Sequence, residues 1–285
     1  MSARLLDGRD VASHLRRELE HRVAAMRGPD EEPAPILAII RDGSSEPAAL
    51  YAASLERAAR SVGIESRLIV AAAPAELAML DATVDELNAD PRVAGIVVAQ
   101  PFANAAAGRR LAERIDPAKD VDGATPTNAG RLARGEPAFV PATALAVVAM
   151  LEAHRVDVAG LRAVIVGRSA VVGRPVASLL LARDATVVVC HRATRNLARE
   201  TRRAEVLVAA AGSPRLIRPE MVNRSAIVID CGINAADGTI TGDVDFEAVA
   251  PVVRAITPVP GGIGPVTPMM VLRQTVESAE RLTGR

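Results

Sequence analysis

One short stretch constrains the fold of this chain more than any other: Ala163-Val-Ile-Val-Gly-Arg-Ser-Ala-Val-Val-Gly-Arg-Pro175. A β-branched run ends at Gly167, a polar turn follows, and Gly173 opens a helix-like segment. Such a unit belongs in a parallel α/β sheet, where the free N–H groups of the turn and the helix N-terminus can seat a phosphate. The spacing departs from G-x-G-x-x-G, because Ser169 stands for the second glycine and one extra residue precedes Gly173. A plain βα turn has the same outline, and a lone glycine-rich turn is a weak signal. The next strand-like segment, 185–190, adds to it. It ends in His191-Arg192, with no acidic residue to accept from a ribose 2′-hydroxyl. Arg168 and Arg192 suit a 2′-phosphate instead, so the cofactor expected is NADP rather than NAD.

The rest of the chain alternates strand-like and helix-like segments almost throughout. That pattern predicts an α/β fold with parallel sheets covered by helices on both faces. Helices are expected over 8–27, 46–62, 74–89 and 142–154, with a last helix from about Pro268. Strands are expected over 36–40, 66–71, 94–99, 162–166, 185–190, 206–210 and 226–230. The segment 116–134 reads as a turn-rich passage.

At 285 residues the chain is long enough for two domains. With 34 basic and 34 acidic residues and only 1% aromatics, nothing favours a nucleic-acid partner. No apolar run reaches membrane-spanning length and no signal-peptide core is visible, so a cytoplasmic protein is expected. Cys190 and Cys231 read as free thiols in a reducing compartment. The four histidines lack metal-ligand spacing, and no metal site is expected. His191 itself reads as a polar strand end. Lys119 is the only lysine. Arginine therefore carries nearly all the basic charge, and a lysine lost to drift would be expected to become arginine.

Three further segments are hard to read as scaffolding: Asp116-Pro-Ala-Lys-Asp-Val-Asp-Gly123, Gly242-Asp-Val-Asp-Phe246, and Thr257-Pro-Val-Pro-Gly-Gly-Ile-Gly-Pro-Val-Thr267. The last is stiff at its prolines and lets a ligand approach backbone at its glycines. Together with the phosphate turn and Asp230-Cys-Gly-Ile-Asn234, the set resembles the bifunctional methylenetetrahydrofolate dehydrogenase/cyclohydrolase family, from about Leu5 to Leu282.

The resemblance implies a folate-binding catalytic domain (1–143 plus 268–285), a Rossmann-type NADP domain (144–267), a cleft between them, and a homodimer. It also implies two reactions. Hydride passes from 5,10-methylenetetrahydrofolate to NADP, and the methenyl cation is hydrolysed to 10-formyltetrahydrofolate. Residue by residue, Tyr51 falls where the family packs a tyrosine on the aminobenzoyl group, and Asp122 where an aspartate binds the pterin. Pro260, Gly261 and Gly262 fall on the folate. Gly167, Arg168, Ser169, Gly173, Arg192 and Ile233 fall on the cofactor. Read from the residues alone, Tyr51 also suits a core position and Asp122 a turn.

Two positions depart from the family pattern. Where the resemblance places a catalytic lysine one helical turn after the tyrosine, Tyr51-Ala-Ala-Ser-Leu55 has leucine. Where it places a glutamine, Val98-Ala99-Gln100-Pro101 has alanine, with glutamine one residue late. Adjacent strand residues point to opposite faces, so Gln100 is expected to face away. Arg57 is turned by about 200° from Leu55 along a helix, and Ser54 lacks the basicity. Hydride transfer needs alignment and no protein base, whereas hydrolysis needs activated water and proton handling. The expectation is an NADP-dependent methylenetetrahydrofolate dehydrogenase whose cyclohydrolase half is weak or lost. The rival readings are a paralogue that uses the folate and nucleotide sites for other chemistry, and a non-catalytic folate-binding protein.

Overall fold

A computed structural model describes residues 3–27, 33–71, 74–236 and 239–284. The elements run β1 (Arg4–Leu5), α1 (Gly8–Arg27), β2 (Ile36–Asp42), α2 (Glu46–Val62), β3 (Glu65–Ala71), α3 (Pro74–Ala89), β4 (Val93–Ala99), α4 (Ala105–Arg114), α5 (Pro126–Ala133) and α6 (Ala142–Ala153). They continue with β5 (Arg162–Val166), α7 (Gly173–Leu181), β6 (Thr186–Cys190), α8 (Leu197–Thr201), β7 (Val206–Ala209), β8 (Ile227–Asp230), β9 (Asn234–Ala236), β10 (Thr239–Thr241), α9 (Phe246–Val249), β11 (Ala255–Ile256) and α10 (Ile263–Thr283). No described helix is long and apolar enough to cross a membrane.

The chain divides into two compact units. One comprises residues 1–13 and 143–267, the other 14–142 and 268–285. The first is built on a parallel sheet in the order β1-β11-β8-β7-β5-β6. Its central strands β5, β7 and β8 are almost wholly buried. Buried on both faces, they read as unbroken apolar runs rather than alternating ones. The described residues 3–13 group with this unit, where β1 pairs in parallel with β11, Arg4 opposite Ala255.

The second unit holds a parallel sheet in the order β3-β2-β4. On one face Ile36, Ala38, Ile40, Ile96 and Val98 pack on Leu80, Val84 and Leu87 of α3 and on Leu111 of α4. Each such isoleucine, leucine or valine side chain contributes about 1.5–3 kcal/mol when fully buried. The other alternation, Leu37, Ile39 and Arg41 on β2 with Gly95, Val97 and Ala99 on β4, points to the opposite face. That face takes α2, whose Ala48, Ala52, Leu55 and Ala59 are buried outside the α3–α4 core.

Two expectations about the helices change. The passage 116–134 is not all turn: Thr125 accepts from the Asn128 N–H and caps α5, with Pro126 in the first turn. The last helix begins at Ile263, five residues before Pro268. Pro265 falls in the first turn, where a missing N–H goes unneeded, and Pro268 removes a single helical bond thereafter.

Candidate active site

In the six-stranded unit the turn after β5 is shaped by close backbone approach. Gly167 has φ +137°, and a Cβ there would lie 2.0 Å from the Ala210 carbonyl oxygen. A Cβ on Gly173 would lie 2.1 Å from the carbonyl oxygen of Gly167. Both glycines are therefore obligatory for strand β5 to turn into α7. Ser169 Oγ accepts from the Val172 N–H at 3.1 Å and sits 3.5 Å from the Gly173 nitrogen, closing the start of the helix. Arg168 and Arg192 each lie two residues beyond the ends of the paired strands β5 and β6. Both are exposed and neither has an ion-pair partner among the described residues. Two free guanidiniums beside a glycine-lined helix start fit the phosphates of a dinucleotide. Ile233, three residues past β8, is 70% exposed.

Local order accounts for His191, which donates its backbone N–H to Thr194 Oγ1 and accepts from the Ala193 N–H. It also accounts for two segments that the sequence presented as functional. Asp230 accepts from the Gly232, Asp243 and Val244 N–H groups. Asp243 accepts from Ala211, Gly212 and Ser213 N–H groups and from Asn234 Nδ2. The two aspartates are scaffolding: they tie together the loops that follow β7 and β8. Burial pushes Asp230 up to about 6, against the pull of its three backbone donors.

The proline–glycine loop docks on its own unit. Gly8 donates its N–H to the Gly261 carbonyl, and a Cβ on Gly8 would lie 1.8 Å from the Gly262 oxygen. Gly261 has φ +113°, and a Cβ on Gly262 would meet the Pro258 oxygen at 2.6 Å. Pro260 is exposed beside them. The glycines thus have an intramolecular reason to be glycine that the sequence did not reveal.

In the three-stranded unit, the turn 116–123 divides its labour between two aspartates. Asp120, fully buried, accepts from Ala124 and Thr125 N–H groups and from Asn128 Nδ2, each at 2.8 Å. It forms the turn. Asp122 accepts from the Ala142 N–H at 3.2 Å, and among the described residues its other oxygen has no partner. Burial pushes Asp122 up to about 7; the Ala142 bond pulls the other way and the charge of Asp120 adds to the rise. Burial also holds the Tyr51 phenol well above its usual range, with the charge of Asp122 contributing. The tyrosine and this carboxylate therefore share one neighbourhood.

Residues that sequence reasoning missed hold this turn. Lys119 donates to the carbonyls of Leu87, Asn88 and Asp90 at the end of α3, so the only lysine is a helix cap. Gln274 of α10 accepts from the Val140 N–H and donates to the Val121 and Val140 carbonyls, all at 2.8 Å. Its signal was present: a glutamine inside an apolar helical stretch, buried to 3%.

The two positions where the resemblance leads one to expect a lysine and a glutamine lie in the same unit. Leu55 and Ala99 are both fully buried. Gln100 turns to the α4 side, where its Oε1 accepts from the Phe102 N–H and its amide lies against Gly108. Arg57 is exposed and Ser54 half-buried.

Against known proteins, residues 6–122 match the family model of the tetrahydrofolate dehydrogenase/cyclohydrolase catalytic domain, and residues 141–283 match that of its NAD(P)-binding domain. The chain belongs to the tetrahydrofolate dehydrogenase/cyclohydrolase family. A relative, the bifunctional protein FolD of Chloroflexus aggregans, is 43% identical over 285 residues, covering 100% of both chains. The FolD methylenetetrahydrofolate dehydrogenase/cyclohydrolase of Campylobacter jejuni superposes with a TM-score of 0.94 at 39% identity, over 98% of this chain and 99% of that one. The Trypanosoma brucei enzyme, solved with NADP cofactor and inhibitor, gives 0.95 at 34% identity over 100% of both chains. In this tetrahydrofolate dehydrogenase/cyclohydrolase chain, the match to the catalytic domain takes in Tyr51, Leu55, Ala99 and Asp122. The match to the NAD(P)-binding domain takes in Gly167, Arg168, Ser169, Gly173, Arg192 and Ile233.

Proposed function

We propose that this protein is an NADP-dependent 5,10-methylenetetrahydrofolate dehydrogenase whose cyclohydrolase activity is weak or lost. The observation that carries the reading is the apolar corner. Leu55 and Ala99 are buried where the resemblance places a lysine and a glutamine, Gln100 faces the other side of the sheet, and Arg57 is in solvent. Asp122 offers a carboxylate oxygen without a partner among the described residues to the amino group and ring nitrogen of the pterin. Tyr51 packs on the aminobenzoyl ring, and Pro260, Gly261 and Gly262 present backbone to the folate. Gly167, Ser169 and Gly173 seat the cofactor phosphates, Arg168 and Arg192 take the 2′-phosphate, and exposed Ile233 belongs to the same cofactor site. When bound, NADP supplies the hydride acceptor.

Removal of hydride from the one-carbon bridge leaves a cation, and no protein group has to take a proton for that step. Opening the cation with water does require proton handling, worth about 10²–10⁴ in rate, and a buried leucine and alanine supply none. The deciding experiment gives purified protein methylenetetrahydrofolate and NADP and follows NADPH and the methenyl product separately. NADPH formed with accumulating methenyl compound is expected. Stoichiometric 10-formyltetrahydrofolate formed faster than in buffer would overturn the reading.

We also propose a homodimer. The outer edge of β3 is unpaired among the described residues, and Leu68 and Val70 are exposed on it. Two free cysteines fit a reducing cytoplasm. A mass of twice 29.7 kDa by light scattering is expected, and a monomer would refute the dimer.

A further inference from the structure

At the end of β2 lies a charged residue that the reading above does not use. Arg41 is the register partner of Ala99 across the β2–β4 pair, and neighbouring strands lie about 4.8 Å apart. Alternation puts both on the sheet face that α2 covers, the helix carrying Tyr51 and Leu55 one turn apart. Arg41 is the penultimate residue of its strand, at the carboxyl end of a parallel sheet, where ligands of α/β proteins bind.

Its bonding is incomplete. Arg41 is half-buried, and its Nη1 donates to the Asp42 carbonyl at 3.1 Å. Among the described residues the remaining guanidinium N–H groups have no partner, and they are not sealed from solvent. Among the described residues no carboxylate contacts it, although the charge of Asp42 acts on it through space. The Asp42 side chain is committed elsewhere, accepting from the Ser44 N–H and hydroxyl and from the Ala103 N–H. A partly buried cation whose nearest carboxylate, Asp42, acts on it through space without a direct contact carries a desolvation cost that a ligand oxygen would offset.

We propose that Arg41 is a substrate-contacting residue that brings from β2 the positive charge which α2, with Leu55, does not bring to the one-carbon end of the site. The proposal rests on the folate reading and deepens it. A guanidinium stays charged at any working pH and cannot take a proton. Arg41 therefore holds an oxygen of the pterin in place without acting as a general base. Substrate is oriented for hydride transfer while hydrolysis remains unassisted.

The test is a double-mutant cycle on tetrahydrofolate binding by calorimetry, with NADP affinity and thermal midpoint as controls. Arg41→Leu is expected to weaken tetrahydrofolate binding at least fivefold with both controls unchanged, and Arg41→Lys to weaken it less. Leu55→Lys alone places two cations at one spot and is expected to weaken binding too. The double variant Arg41→Leu/Leu55→Lys returns a single charge and is expected to bind better than either single variant. A change below fivefold in Arg41→Leu, or additive effects in the cycle, overturns the proposal. If Arg41→Leu does not fold, Arg41→Gln replaces it under the same criterion. Asp122→Ala separates the two levels. If it too leaves tetrahydrofolate binding intact, the folate reading falls and the proposal with it; if only Arg41→Leu is silent, the proposal alone falls.

Discussion

At Gly167 one added methyl group would lie 2.0 Å from a backbone oxygen, whereas at Leu55 the side chain can be wholly apolar and α2 remains a well-capped helix. The turn after β5 is specified by backbone, so its residues are fixed by sterics before any ligand is considered. At the α2–β4 corner no comparable backbone limit fixes Leu55, which is buried by packing alone. A buried leucine satisfies the fold there as well as or better than a charge would. A change of function can therefore be written into the corner without disturbing the scaffold, and cannot be written into the turn.

That contrast can be broken by single substitutions. Gly167→Ala has the largest expected effect, loss of NADP binding by at least about 100-fold or loss of folded protein, because strain and overlap act together. Fluorescence titration with NADPH and a thermal melt check it, and near-normal binding would show that the turn is not sterically fixed. Asp122→Ala is expected to abolish folate turnover while leaving NADP affinity unchanged. If that variant turns over methylenetetrahydrofolate normally, Asp122 is no more than a turn residue, the role the structure gives to Asp120.

Arg192→Ala tests the electrostatic part of the nucleotide seat. One charge-assisted phosphate contact contributes about 1.5–3 kcal/mol, so NADP is expected to bind about tenfold or more weakly with NAD little changed. Equal losses for both cofactors would remove the 2′-phosphate from the assignment.

A separate effect is in stability against pH. Asp122, held up to about 7 in the fold, favours its protonated form there more than in the unfolded chain. Its contribution is therefore fully present below the ordinary carboxylate range and is lost as pH rises through about 7. Asp122→Asn should melt higher than the parent at pH 8, with the gap narrowing below about pH 7 and closing toward the ordinary carboxylate range. A gap that does not depend on pH would assign the change to packing.

Much of this architecture was legible in the sequence because period and punctuation carry it. The runs that became β5, β7 and β8 are continuous and β-branched, and α2 and α3 begin where Ser45 and Pro74 mark helix starts. β1 was not legible: a two-residue strand has no periodicity, and only its pairing with Ala255 and Ile256 gives it a place. Within the site, sequence put Gln100 on the wrong side of the strand from Ala99, and the structure places it there. It gave Asp230 and Asp243 a functional look that belongs to loop closure. Gln274 and Lys119 act across 29 to 153 residues of chain, which no local pattern encodes.

The most direct test of the apolar corner is the rate at which the unmodified protein hydrolyses methenyltetrahydrofolate, measured with and without enzyme in the same buffer. The absorbance of the methenyl compound is followed after a batch has been shown to form NADPH from methylenetetrahydrofolate. With Leu55 and Ala99 in place of proton-handling groups, the decay should match the buffer background within a few-fold while NADPH formation proceeds. Enzyme-dependent decay of the methenyl compound as fast as NADPH is formed would contradict the account, because a group other than those two would then be activating water.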